Sequence, residues 1–443
     1  MKNLTENRDV TAALLLEPLQ WRVRVVEEIV VDAATTCLRT RSLQAAPLRP
    51  LIESHVSPAD TQVLIALNVA PMPRGPLLDF TIEGPLGDAW LLPRMEIAQR
   101  QARYLTAVAM RAGIRVTGRQ NRILTRVLGF SETGWLYGSD GFSLADYLED
   151  GLGTSVTARV LEEWAAINTS CKRLLRPLLD MPVQYTVCES PALAIPDLYP
   201  ADVPFDEDDA TKYLREYLRL LQKMLTMVDS SPFAGEFLRA LADYGTHYDM
   251  IVAVKVPVDE PFVIKYTERR SLTLHPLRRT GSQILVIADA QSNHVTFKIS
   301  DPNVRIADFA ALEPAKDEFA FGSFLSKSDD QTRSFYAHDT DRDYRVRLKF
   351  KLALLRRLQG VPYLASLLIF LLSMVLMREP TKDLRTLGLI VGPSALAASV
   401  LLAREPSTLG SRLRLASTLV LAGSVLFLLC ATVVSYLRGT IPS

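Results

Sequence analysis

The sequence predicts an α+β cytoplasmic region, with β-sandwich-like strands flanking a helical insertion, followed by three C-terminal transmembrane α-helices. Three observations predict it. Apolar residues alternate with polar ones through residues 1–94 and again through 246–352, which suits strands buried on one face. Apolar residues recur at steps of three and four through residues 95–245, the period of a helix. Residues 353–443 hold three runs without a formal charge.

In the first block, Trp21–Val25 alternates apolar and basic residues, Glu28–Val31 continues the pattern, and Asp32–Thr35 supplies a turn before Cys37–Leu43. A β-hairpin follows from this. Val63–Val69 and Leu77–Ile82 read as further strands, separated by the Pro-rich Pro71–Pro76. The helical block opens near Met95, where Ile97, Tyr104, Leu105, Val108 and Ala112 share a face and Gly113 is placed to end the helix. A second helix carries Val160, Trp164, Ile167, Cys171, Leu174, Leu175 and Leu178, with Pro177 near its close. The third follows Asp206–Asp209, whose carboxylates suit a helix N-terminus, and presents Leu214, Leu218, Leu221, Leu225 and Val228. A fourth covers Phe233–Tyr244.

Strands return at Met250–Val256 and Phe262–Thr267. The pattern then predicts a hairpin of Ile284–Ala288 with Val295–Ile299, and a polar surface loop over Ser326–Arg333. Arg345–Lys351 alternates fully, putting Arg345, Arg347, Lys349 and Lys351 on one face and Val346, Leu348 and Phe350 on the other. The two β-rich blocks form either one sandwich or two small domains; pooling their strands gives the better core.

The tail predicts spans at 358–377, 386–403 and 415–437, each near the roughly 20 helical residues that cross a hydrocarbon core of about 30 Å. Gly388, Gly392 and Pro393 make the second the least regular. The N-terminus lacks the basic and apolar regions of a signal peptide. With the large N-terminal part inside, ten Lys and Arg flank the spans on the cytoplasmic side (Arg342, Arg345, Arg347, Lys349, Lys351, Arg356, Arg357, Arg404, Arg412, Arg414) against four outside (Arg378, Lys382, Arg385, Arg438). The positive-inside rule then predicts a multi-pass protein of the cell membrane with its N-terminal domain cytoplasmic and a short C-terminal tail outside. No ionisable residue interrupts a span, which argues against ion-coupled transport.

Composition narrows the function further. Over 443 residues, Lys and Arg sum to 50 and Asp and Glu to 49, so no global charge draws the chain to nucleic acid. The four cysteines (Cys37, Cys171, Cys188, Cys430) lack the spacing of a metal site or a disulfide framework and read as reduced thiols. Phosphate-loop, HExxH and GxSxG motifs are absent, and the five histidines stand singly. Asp339–Asp343 imitates the start of a calcium loop, but Tyr344 and Phe350 replace its required glycine and glutamate. No catalytic residue, metal or cofactor is expected.

One charged feature remains. Between Glu96 and Glu132 there is no acidic residue, while Arg100, Arg103, Arg111, Arg115, Arg119, Arg122 and Arg126 supply seven positive charges. Solvated arginines balanced in space by distant carboxylates are one reading. The other is an anionic surface, shared with Arg345, Arg347, Lys349 and Lys351, that binds lipid headgroups. Tyr104 is the only aromatic residue between Arg100 and Arg126, which disfavours single-stranded nucleic acid. Gly388 and Gly392 form a GxxxG spacing that permits helix packing within the chain or between copies in a homo-oligomer. The expected function is a non-enzymatic integral membrane protein whose cytoplasmic domain binds a protein partner or scaffolds an assembly at the inner membrane face. An oligomerising, channel-like effector gated by its cytoplasmic domain and a membrane-tethered enzyme without a local motif stay open as alternatives.

Overall fold

A computed structural model of the chain describes residues 2–33, 35–73, 78–130, 143–178, 187–200, 202–275, 280–287, 290–312, 323–327, 329–338, 344–354, 356–378, 388, 391–392, 409–413 and 415–440. The chain is mixed α/β, with a β-rich N-terminal region followed by helices. Its longer strands are β1 (Arg22–Val31), β2 (Thr36–Ala45), β3 (Gln62–Pro73), β4 (Leu78–Gly84), β5 (His247–Pro257), β6 (Phe262–Ser271), β7 (Thr280–Ile287), β8 (Ser292–Ile299), β9 (Val304–Leu312), β10 (Thr332–His338) and β11 (Tyr344–Leu354). Its helices are α1 (Arg8–Leu16), α2 (Arg94–Arg111), α3 (Gly118–Gly129), α4 (Leu144–Leu152), α5 (Ala158–Leu175), α6 (Glu207–Thr226), α7 (Pro232–Thr246), α8 (Arg356–Arg378), α9 (Leu409–Leu413) and α10 (Leu415–Thr440).

Among the described residues these strands form three sheets. The largest runs Ser323–Lys327, β10, β8, β1, β2, β6, β4 and Gly87–Asp88. β1 and β2 form an antiparallel hairpin, while β8 joins the other edge of β1 in parallel, Ser292 opposite Arg24 and Ile299 opposite Val31. Alternation fixes which face is buried. Val25, Leu43 and Ile264 pack on Val63, Ile65 and Val254 of a second sheet built around β3 and β5. Farther along the same face, Ile29, Val31, Phe297 and Phe335 meet Phe350, Leu352 and Leu354 of a third sheet, ordered Thr273–His275, β7, β11 and β9. β3 and β5 are covered on both sides, because Ala66, Ile251 and Ala253 face Leu92 and Ile97 at the start of α2. Strands from both β-rich blocks therefore share the first two sheets, while the third is built from the second block alone.

The expected hairpin of Ile284–Ala288 with Val295–Ile299 does not form. β7 pairs with β11 and β8 with β1, in different sheets. The connection is anchored instead of turning: Ala290 is buried, Gln291 N–H donates to Arg22 O at 3.0 Å, and its Nε2 donates to Leu19 O at 2.9 Å. The polar stretch Ser326–Arg333 is likewise more than a loop, since Ser323–Lys327 and β10 pair across it. α1, capped by Asn7, and α3, which opens on a Thr117–Gln120 capping box, were not expected.

The helical layer has its own core, with Leu105, Leu124, Trp164, Leu221, Phe237 and Leu241 at its centre. Left-handed Gly113 (φ +78°) and Gly153 (φ +66°) follow α2 and α4, a conformation glycine adopts without strain. Asp206 caps α6 by accepting from the N–H groups of Asp208 and Asp209. At the joint with the sheets, buried Asp249 accepts from Tyr244 Oη at 2.6 Å, Asn68 Nδ2 at 2.8 Å and Gln101 Nε2 at 3.3 Å. One carboxylate thus ties α2 and β3 to the junction of α7 and β5.

In the tail, one helix among the described residues is long and apolar enough to cross a membrane, Ser417–Arg438 within α10. Three spanning helices are therefore not found. Pro362 and the basic start of α8 leave only Pro362–Arg378 as a shorter apolar helix, and most of 386–403 lies outside the described residues. α8 and α10 pack side by side through Ile369, Leu376, Leu421 and Leu428, with Phe370 and Phe427 stacked at 5.3 Å. Ser366 and Ser373 are also buried, small enough for close approach. α9 returns to the third sheet: Leu409 and Leu413 enter its core, and Gly410 N–H donates to Asp301 Oδ2 at 2.9 Å.

Candidate functional site

The clearest concavity lies where the ends of α5 and α6 meet the start of α7. α5 is fixed by Trp164, Ile167, Cys171 and Leu175, and the Trp164 indole N–H donates to Thr211 Oγ1 of α6 at 2.9 Å. Pro177 closes α5 in a short 3₁₀ turn, and Pro232 starts α7 after a turn in which Ser231 N–H donates to Met227 O at 2.8 Å. Two proline-marked ends and one helix terminus cannot fill the corner between them. A groove of about 450 Å³ remains. Leu174, Leu178 and Leu238 line it together with Leu225 and Val228, which are 48% and 38% exposed. Gly235 leaves it open, since a Cβ there would come no nearer than 3.9 Å to Val228.

Among the described residues, the charged groups of its lining are Arg173 and Arg239, both exposed. Neither has a hydrogen bond or an ion pair among the described residues. Arg176, one turn on, differs: it reaches buried Glu189 at 3.2 Å. An apolar body with two free cations at its rim can hold an anionic, partly apolar ligand. Among the described residues its lining holds no nucleophile, base or metal ligand, and no metal-binding cluster occurs among them.

The arginine-rich segment is spread over α2 and α3 and is mostly tied down. Arg100 is buried and binds Glu96 at 3.3 Å and Thr5 O. Arg103 pairs with Asp9, Arg111 with Glu17 at 3.0 Å, and Arg119 with Asp209 at 3.1 Å. Arg119 and Arg122 both lie over the Tyr213 ring, and Arg126 faces Asp197. Arg115 is the exposed member without such a partner among the described residues. On β11, Lys351 is exposed and Lys349 half-buried, opposite in phase to Phe350 and Leu352; the side chains of Arg345 and Arg347 lie outside the described residues. Gly388 and Gly392 are helical and exposed, and a Cβ on either would meet nothing within 4 Å.

Sequence reasoning missed a second cluster, on the buried face of the large sheet. Glu27 of β1 accepts from Arg39 Nη2 at 2.5 Å and Nε at 3.2 Å, and from Arg41 Nη1 at 2.7 Å. Glu268 of β6 takes Arg39 at 3.2 Å and Arg270 at 2.6 Å, while Arg39 lies over the Tyr266 ring. Burial would push the Glu27 carboxyl up, but Arg39 and Arg41 outweigh it and hold its pKa below the usual 4.5. Burial pushes Tyr266 up to about 12 and neighbouring Cys37 up to about 11, so neither ionises near neutrality. The belt lies between the two cores of the sandwich and reads as structure. Phase was the available signal, since Val25, Glu27, Ile29 and Val31 share one face.

Compared with family models, curated proteins and solved structures, the chain matches none.

Proposed function

We propose that the chain is a non-enzymatic, membrane-anchored binding module, with residues 1–354 on the cytoplasmic side and a tail that crosses the bilayer three times. The observation that carries this reading is the path of the tail. α8 leaves the sandwich two residues after Leu354, and α10 leaves it two residues after Leu413; both residues lie in the third-sheet core. Two packed helices that start at the same surface run in the same direction. The end of α8 at Arg378 therefore stands about 35 Å along the helix axis from the start of α10, the length of the 23-residue α8 at 1.5 Å per residue. The uncharged run 386–403 is suited to spanning that distance. Lipid-facing character supports it: Leu364, Leu367, Leu371 and Val375 of α8 and Leu419, Leu426 and Val433 of α10 are exposed. The positive charges of the 404–414 connection then share a side with the N-terminal domain.

The groove favours binding over catalysis, because its described lining offers apolar surface and two guanidiniums. A second reading, an oligomerising channel-like effector, is favoured by the open surface at Gly388 and Gly392. Replacing both by Ile should lower oligomer mass in detergent if copies pack there. The primary reading is tested by carbonate extraction and flotation: the full chain should stay with the lipid fraction, and a chain ending at 354 should not. Release of the full chain into the soluble fraction would overturn it.

A further inference from the structure

We infer that the groove at the ends of α5, α6 and α7 binds a single-chain anionic amphiphile, its acyl chain along Leu174, Leu225, Val228 and Leu238 and its head group held by Arg173 and Arg239. The inference rests on the reading of the soluble part as a binding module, but not on the number of spans.

Three features select this ligand class. The volume, about 450 Å³, lies low in the roughly 300–1,000 Å³ range of ligand pockets, which suits one acyl chain better than two. The apolar lining includes two large side chains left substantially in water, Leu225 and Val228, although α6 buries Leu214 and Leu221 on the same stripe. A ligand that covers them removes that surface from solvent. Both charges at the rim are guanidiniums, neither neutralised by a carboxylate among the described residues, and a guanidinium fork matches carboxylate and phosphate oxygens. Charge complementarity therefore makes the head anionic, and the lining makes the remainder apolar.

The test uses the full chain in phosphatidylcholine nanodiscs and three photoactivatable probes with the same diazirine-bearing palmitoyl chain. One ends in a carboxylate, one is a lysophosphatidate, and one is the uncharged methyl ester. After irradiation, labelled peptides are read by mass spectrometry. At least one anionic probe should label residues 171–178 and 225–239 about tenfold more than the ester; which of the two does so identifies the head as carboxylate or phosphate. Arg173→Glu with Arg239→Glu should cut that labelling about tenfold. Gly235→Met, which fills the groove from a helical position, should abolish it without a charge change. Both arginines are exposed, and an unchanged thermal melt verifies folding. Equal labelling by the ester, labelling that survives charge reversal, labelling confined to α8 and α10, or no labelling of the groove would each overturn the inference. Flotation of the same nanodisc-forming chain reads the membrane reading separately, so the two failures are distinguishable.

Discussion

Removing Glu27 should unfold the sandwich at markedly lower denaturant. Its carboxylate takes three charge-assisted hydrogen bonds from Arg39 and Arg41 at 2.5, 3.2 and 2.7 Å, and all three side chains are 2% exposed or less. Each such bond is worth about 1.5–3 kcal/mol taken alone, but the bonds share one carboxylate and do not add. The better measure is the loss on leaving buried charge uncompensated, about 3–5 kcal/mol. At a urea slope of about 2–3 kcal/mol per molar, Glu27→Ala should lower the midpoint by roughly 1–2.5 M. The assay is urea unfolding of the full chain in nanodiscs, followed by fluorescence of Trp21, which is fully buried in the neighbouring core. Glu28→Ala is the internal control: its exposed pair with Lys298 at 3.0 Å should be worth about 0–1 kcal/mol. Because the folded carboxyl titrates below 4.5, its contribution is present above that pH and is lost as pH falls through the lowered value. A Glu27→Ala loss no greater than that of Glu28→Ala would refute the reasoning.

Three further outcomes follow from named contacts. Gly281→Ala should cost about 1–3 kcal/mol by differential scanning calorimetry, since a Cβ there would overlap the Phe350 ring. Leu413→Ala should cost about 2–5 kcal/mol of α9 docking, seen as faster trypsin cleavage after Arg412. Asp249 has its pKa raised, since burial outweighs the bonds from Tyr244, Gln101 and Asn68 and the charge of Arg22. Its ionisation therefore opposes folding as pH rises above the unfolded value of 3.8 and through the raised folded one. The melting temperature of Asp249→Asn relative to the parent should accordingly be higher at pH 7 than at pH 4.

The mixed α/β character was legible because period-two and period-3.6 runs are long and separate. The β1–β2 hairpin was legible because its partners are neighbours in sequence, with Asp32–Thr35 between them. The parallel pairing of β8 with β1 was not, since nothing local in Ser292–Ile299 distinguishes it from a hairpin partner of β7. α3 was hidden by its own arginines, although Ile123, Leu124, Val127 and Leu128 carry helical spacing. The groove was half legible. Leu225 continues the apolar stripe of α6 and Val228 follows two residues past its end, and only the structure shows that they outrun the core that buries Leu214 and Leu221. Glu96 of α2 apart, the carboxylates that pair with Arg103, Arg111 and Arg119 come from α1, the residue after it, and α6, 90 to 94 positions away, a distance no local pattern spans.

The side of the membrane on which the domain lies is tested most directly by cysteine labelling of intact cells with an impermeant maleimide. Cys37, Cys171 and Cys188 are buried, and exposed Cys430 is replaced by Ala in both variants to remove its background. A cysteine at exposed Ser230 should react only after permeabilisation, and one at Thr381, just past α8, should react in intact cells. Labelling of the Ser230 variant in intact cells, or protection of the Thr381 variant there, would contradict the account.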